Sequence, residues 1–220
     1  MWFLMPGITF EYLLMRIVAV LVVVFVTLPF HEYAHALVAR KLGDNTAEMF
    51  GALKFNPLFY FDPIGAACVL FFGFGWSRPA PVNPSNFSNL RRDTALVAAA
   101  GPISNFLSAL VGGFLLNLAI ACNLGNDWLY LFFAVFIKIN LEIAVINLIP
   151  LMSLDGYAIF GSLMPRKLWA IYYPHQRTVE IILIVLLFFG ILGAPINIIE
   201  NLMYNFIIRV TSLPFFMYKI

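Results

Sequence analysis

Long apolar runs separated by short polar breaks dominate this chain. They lie at about 13–39, 64–76, 94–122, 128–151 and 178–193, followed by a mixed apolar segment at about 196–216. A helix needs ~20 apolar residues to cross a bilayer, so the run at 64–76 is too short to do so. Pro63, Gly65, Gly73 and Gly75 also punctuate it, which favours a re-entrant or partly inserted element. The pattern predicts an all-α integral membrane protein with five or six membrane segments, one of them short or re-entrant. Between Thr46 and Asp62 the period breaks down among aromatic residues and Pro57. That stretch reads as a small strand or hairpin element after the first span, or as an aromatic interfacial loop. A strand edge there could accept an extended peptide by strand addition.

Composition agrees with a bilayer as the solvent. The 220 residues are 62% hydrophobic and 11% charged, and the mean hydropathy is +0.92. Residues 1–220 read as one membrane-embedded domain, with a core over about 12–165 and C-terminal helices over about 178–216. The net charge of +2 comes from scattered residues rather than a basic patch, so nucleic acid is not an expected partner. Cys68 and Cys122 lie in apolar segments without metal-ligand spacing and read as small buried residues. Residues 1–10 carry no basic residue, and cleavage in the first run would destroy the motif it leads into, so that run is expected to be a retained span.

Basic residues orient the expected spans. Arg40 and Lys41 follow the first, Arg78, Arg91 and Arg92 precede the third run, and Arg166, Lys167 and Arg177 follow the fourth, whereas 123–127 has none. If 64–76 does not cross, the basic loops all fall on the cytoplasmic side.

Chemistry enters at the end of the first run. His31-Glu32-Tyr33-Ala34-His35 puts two imidazoles on one helix face, four residues apart, with a carboxylate beside them. That spacing suits one Zn2+ per chain, held by His31 and His35, with Glu32 as general base. A catalytic zinc takes a third protein ligand. His175 is one candidate, in the polar, aromatic stretch Tyr172-Tyr173-Pro174-His175-Gln176. Asp155 is the better one, because a carboxylate at the end of an apolar run needs a cation to offset its burial. Both ligand-bearing stretches end their spans at the motif, so the two helices must run parallel for the side chains to meet. Asn147 could donate an amide N–H to a developing oxyanion or bond across helices. Lys138 and Glu142, four apart, read as an ion pair or as groups handling substrate and protons. Ser104, Ser108 and Gly112 form a small-residue row suited to close helix packing, and Asn105 beside it could bond across that contact.

Three of these motifs occur in order along the chain: His31 to His35 at the end of a span, Gly101-Pro102-Ile103-Ser104-Asn105, and Asn147-x-x-Pro150 followed by Leu154-Asp155-Gly156. Together they resemble the site-2 protease family of intramembrane zinc metalloproteases. Phe61-Asp62-Pro63-Ile64-Gly65 and Gly75-Trp76-Ser77-Arg78-Pro79-Ala80-Pro81-Val82-Asn83-Pro84 resemble its small, PDZ-less bacterial branch. The resemblance covers roughly residues 20–165. It implies that His31, His35 and Asp155 bind zinc, that Glu32 is the general base and that Asn147 helps hold the substrate peptide or its oxyanion. It departs at Leu151-Met152-Ser153, where a proline-rich approach is usual, and at Ala158, where arginine is frequent.

The expectation is therefore a zinc endopeptidase of the bacterial inner membrane, with its active site toward the cytoplasm. Its substrate would be the transmembrane segments of other membrane proteins, and its partners that substrate and the lipid bilayer; the sequence sets no oligomeric state. The alternative is a zinc transporter or metal-sensing membrane protein. Transport would need polar residues spread through several spans, whereas here they concentrate at one depth. The proline-rich 77–93 loop on the same face is a candidate entrance to the site.

Overall fold

The computed structural model describes residues 9–54, 56–72, 75–124 and 126–216, and these are helices joined by turns and irregular segments, without a strand. The first helix, α1, runs over Phe10–Lys41. Its start is capped by Thr9, whose hydroxyl accepts the Tyr12 N–H at 3.2 Å, and Gly43 ends it. With φ at +103°, Gly43 turns the chain back so that the Asp44 N–H reaches the Ala39 carbonyl at 3.0 Å. Midway, Val23–Thr27 widens into a π-helical turn. Pro29 just beyond it has no N–H to give, and a wide turn is one way a helix in lipid accommodates that loss. The Thr27 hydroxyl bonds the Val23 carbonyl at 3.1 Å in the same turn. One extra residue also rotates the following helix by about 100°, and His31, Glu32 and His35 all face the protein interior.

Two single-turn helices follow, α2 (Thr46–Met49) and α3 (Pro57–Tyr60), then α4 (Pro63–Phe72). The strand or hairpin expected between Thr46 and Asp62 is thus replaced, among the described residues, by two helical turns. Local capping explains it: Asp44 Oδ1 accepts the Thr46 N–H at 3.1 Å, and Asn56 Oδ1 accepts the Leu58 N–H at 3.1 Å ahead of Pro57. These caps fix helical turns where aromatic content suggested strands. Arg40 and Glu48 pair at 2.9 Å on the exposed side of α2.

The described part of helix α4, ten residues, is about 15 Å long, half a bilayer core. Residues 73 and 74 of that stretch lie outside the described residues. Its first turns are pressed against the segment that returns from it. A Cβ on Gly65 would fall 1.9 Å from the Trp76 carbonyl oxygen, and one on Gly75 would fall 2.2 Å from the Gly65 carbonyl oxygen. Only glycine lets these two backbones touch.

Beyond the segment 75–89, irregular except for a 3-10 turn at Pro84–Asn86, come α5 (Leu90–Ala121), α6 (Asp127–Asn147), α7 (Asp155–Leu163), α8 (Arg166–Tyr172), α9 (Gln176–Phe188) and α10 (Gly193–Phe216). Helix α5 is central, packing against α1, α6, α7 and α10. Its buried face is small or polar (Gly101, Ser104, Asn105, Ala109, Gly112) and its outer face is large and apolar (Ile103, Leu107, Val111, Phe114). That inversion of the soluble pattern follows from lipid as solvent: apolar bulk costs nothing outside, and close backbone approach supplies the packing inside. Ala19, Val20, Val23 and Val24 of α1 meet Val135, Ile139 and Ile143 of α6 in one core cluster. Ala109 and Leu116 of α5, Ile137 and Leu141 of α6, and Ile207 of α10 form another.

Three helices among the described residues are long and apolar enough to cross a bilayer: Phe10–Lys41, Leu90–Ala121 and Asp127–Asn147. Three spans are found where five or six membrane segments were expected. Helix α9 is 13 residues long, short of a span. Helix α10 has the length, but Glu200, Arg209 and Pro214 interrupt its apolar character.

Candidate metal centre

The last third of α1 delivers His31, Glu32 and His35 to a common depth, where they are 5%, 9% and 7% exposed. Asp155 arrives from the other side as the first residue of α7, after the irregular linker that follows α6. A carboxylate at a helix N-terminus is favoured by the N–H groups exposed there. Gly156 lets the turn form, since a Cβ there would fall 2.3 Å from the Ile149 carbonyl oxygen and 2.4 Å from that of Leu148. The far end of α7 is held by Arg91, whose guanidinium donates to the Met164 carbonyl and lies 3.5 Å from that of Gly161. A cation at a helix C-terminus stabilises it. Tyr172 braces the linker by donating to the Pro150 carbonyl at 3.3 Å.

The carboxylate of Asp155 bridges the two rings. Its Oδ2 lies 3.2 Å from His31 Nε2 and its Oδ1 lies 3.3 Å from His35 Nε2. His31 and His35 stand edge to face, with ring centroids 4.7 Å apart. One ligand atom from each of the three residues lies within 4.8 Å of the others. The tautomer of His35 follows from its other nitrogen, Nδ1, which is 2.7 Å from the Val97 carbonyl oxygen of α5. A carbonyl can only accept, so Nδ1 carries a proton, and in the neutral ring Nε2 presents a lone pair to Asp155. A carboxylate oxygen 3.3 Å from that nitrogen calls for a positive centre between them, a proton on Nε2 or a metal ion. Two ligands each ~2.0–2.1 Å from a tetrahedral divalent ion are about 3.3–3.4 Å apart. The two nitrogen–oxygen separations match that edge, and two imidazoles with one carboxylate are a donor set such an ion takes. Buried His31 Nδ1 has no hydrogen-bond partner, so the His31 ring lacks the brace that the Val97 carbonyl gives His35.

Helix α5 closes the site at Gly101. A Cβ there would fall 2.4 Å from His35 Nε2 and 2.5 Å from His31 Nε2, so the bare backbone of α5 is what lets it lie against both rings. Pro102 follows within the helix, and the Ser104 hydroxyl donates to the Gly101 carbonyl at 2.7 Å. Glu32 faces the irregular segment, with Oε1 accepting from the Ser77 hydroxyl at 2.9 Å and Oε2 from the Ala80 N–H at 2.9 Å.

The structure therefore brings together His31, His35, Asp155 and the adjacent Glu32. His175 sits exposed on a short 3-10 turn after α8 and is not part of the ligand group. Asn147 is half-buried at the last turn of α6, where its Nδ2 donates to the Ile143 carbonyl at 2.9 Å. Asn105 is 1% exposed, with neither side-chain polar atom partnered. Lys138 and Glu142 form no ion pair within 4 Å among the described residues. Sequence reasoning missed the Val97 carbonyl, the contact of Gly101 with the rings and the grip of Ser77 and Ala80 on Glu32. A glycine before a proline inside an apolar helix was the available signal for the second.

YwhC of Bacillus subtilis, provisionally named a zinc metalloprotease, is 42% identical over 149 residues, 66% of this chain and 68% of its own. The chain belongs to the site-2 protease family. Rip2 of Mycolicibacterium smegmatis, named in the same provisional way, is 30% identical over 144 residues, 62% of this chain and 52% of its own. Rip2 of Mycobacterium tuberculosis is 31% identical over 144 residues, 60% of this chain and 52% of its own. The match thus spans about half the length of the Rip2 proteins. No family model matches the chain, and no solved structure does. Membership of the site-2 protease family and three apolar helices make this a membrane protein.

Proposed function

We propose that this protein is a zinc-dependent endopeptidase that cuts transmembrane segments of other membrane proteins. The observation that carries the reading is the convergence of His31 Nε2 and His35 Nε2 on the Asp155 carboxylate at 3.2 and 3.3 Å, beside a buried Glu32. The names of the relatives, as zinc metalloproteases, support it. His31, His35 and Asp155 hold the ion in this reading. When bound, zinc polarises the scissile carbonyl and makes water acidic enough to surrender a proton near neutral pH. Glu32 takes that proton and passes it to the departing amine. Burial among helices excludes bulk water, so the electrostatic contacts act at low dielectric. Asn147 contacts the substrate peptide or its oxyanion once its amide leaves the Ile143 carbonyl. The basic residues at 40–41, 78, 91–92, 166–167 and 177 favour a site on the cytoplasmic side of a bacterial inner membrane.

The test is cleavage of a tagged single-span substrate by the purified protein in liposomes, with zinc per chain measured for wild type and Glu32→Gln. The expected result is one zinc in both and cleavage only by the wild type, the difference being at least ~100-fold. Zinc binding without cleavage by either would overturn the protease and favour transport or sensing.

A further inference from the structure

Both oxygens of Glu32 are engaged by one short segment of irregular chain. Between Arg78 and Val82 the sequence runs Pro79-Ala80-Pro81, and proline has no N–H. The Ala80 N–H is therefore the one backbone donor on that stretch, and it goes to Glu32 Oε2. Ser77, three residues earlier and 9% exposed, gives its hydroxyl to Oε1. The segment has no helix or strand to hold it, yet it is anchored on both sides of these donors. Gly75 lies against Gly65 and Val69 of α4, and the Arg78 N–H reaches the Tyr60 carbonyl at 2.8 Å. Further on, Asp44 accepts the Asn83 N–H and the Asn86 amide, each at 2.7 Å. The three prolines at 79, 81 and 84 stiffen what lies between by fixing φ.

A carboxylate offers about four acceptor positions. Two donors, one on each oxygen, fix the plane of the group and leave positions free for a proton. Hydrogen bonds to a charged acceptor are among the stronger ones, so the carboxylate's rotation is well defined. The fold thus builds a bracket around the one group that the proposed reaction needs held at a fixed angle.

We infer that Ser77 is a positioning residue for Glu32, its hydroxyl acting with the Ala80 N–H to aim the carboxylate for proton transfer. The inference rests on the protease reading above for its purpose, and on geometry alone for the bracket. Ser77→Ala removes one arm while keeping the volume nearly unchanged, and Ser77→Thr restores a hydroxyl. Measured on the same tagged substrate in liposomes, Ser77→Ala is expected to lower kcat about tenfold, with KM and zinc per chain unaltered. Ser77→Thr is expected to recover kcat to within about twofold. A Ser77→Ala protein with unchanged or higher kcat, or one whose loss follows zinc content or KM instead, overturns the assignment.

The bracket has a readout that needs no turnover. Amide hydrogen exchange over residues 75–89 of the purified zinc-loaded chain should show a protected Ala80 N–H, exchanging at least about tenfold faster in Glu32→Ala. An exchange rate that Glu32→Ala leaves unaltered overturns the bracket itself. Failure of the wild type to cleave, with the exchange difference present, overturns the protease reading and with it the catalytic purpose of Ser77, while supporting the hold on Glu32.

Discussion

Gly101 and Gly113 lie about three turns apart on α5, and the same lack of a side chain serves different ends at the two places. At Gly101 a Cβ would meet His35 Nε2 at 2.4 Å, whereas at Gly113 it would meet Ile207 Cγ2 of α10 at 2.5 Å. One glycine admits the His31 and His35 rings against the helix, and the other admits a neighbouring helix. A small residue within a membrane helix is therefore ambiguous by itself, and what faces it decides whether it shapes chemistry or packing. Gly112, beside Gly113, shows the second use again, with Phe136 Cδ1 2.9 Å from where its Cβ would be.

The comparison breaks most visibly at the metal end. The His35 ring facing Gly101 is held on its far side by the Val97 carbonyl, and a Cβ at 101 would fall 2.4 Å from its Nε2, so Gly101→Ala should displace that nitrogen. Zinc per chain should fall well below one and cleavage at least ~100-fold, a loss of metal that Gly113→Ala should not share; perturbations of the groups around metal ligands alone cost about 10–100-fold. Retained zinc and retained cleavage in Gly101→Ala would remove the distinction between the two glycines. At the other end, Gly113→Ala overpacks the contact with α10, at a cost of ~1–3 kcal/mol. Its thermal midpoint should drop while zinc per chain stays that of the wild type. Asn117→Ala sharpens the same end more gently. It deletes an amide that donates to Thr211 Oγ1 at 2.8 Å and to the Ile208 carbonyl at 3.3 Å, for about 1 kcal/mol.

The smallest effect is confined to acid. Asp44, fully buried in the turn after α1, would be raised by its burial. Hydrogen bonds from the Thr46 hydroxyl, the Asn83 N–H, the Asn86 amide and the Thr46 N–H outweigh that and hold its carboxyl below the usual carboxylate range. A depressed folded pKa gives stability that is complete above the unfolded value of about 3.9 and is lost as pH falls through the lower folded value. Unfolding measured from pH 6 downward should show that loss in the wild type, with a shallower acid limb in Asp44→Asn. Identical acid limbs would show that the turn, and the segment it tethers, does not depend on this carboxylate.

The grouping of His31, His35 and Asp155 was legible in the sequence because its strongest signal is local. His31 and His35 need only helical spacing to converge, and Asp155 betrays itself as an acid closing an apolar run. The long apolar helices were legible for the same reason, since each run carries its own signature. For 46–62 the aromatics left a strand or hairpin and an interfacial loop both open, and short-range caps from Asp44 and Asn56 decided for helical turns instead of strands. The contacts of Glu32 with Ser77 and Ala80 span 45 and 48 residues, and nothing local announces them. Gly101 was visible within a motif, but the identity of the atoms facing it is a property of the packed helices alone.

The most direct test of the triad is zinc K-edge X-ray absorption on the purified wild type and Asp155→Ala. The wild type should give nitrogen and oxygen neighbours only, with the outer-shell scattering of two imidazoles, and Asp155→Ala should lose one oxygen neighbour while keeping both rings. Sulfur in the wild-type shell, or a spectrum that Asp155→Ala leaves unchanged, would contradict the assignment of His31, His35 and Asp155 to one ion.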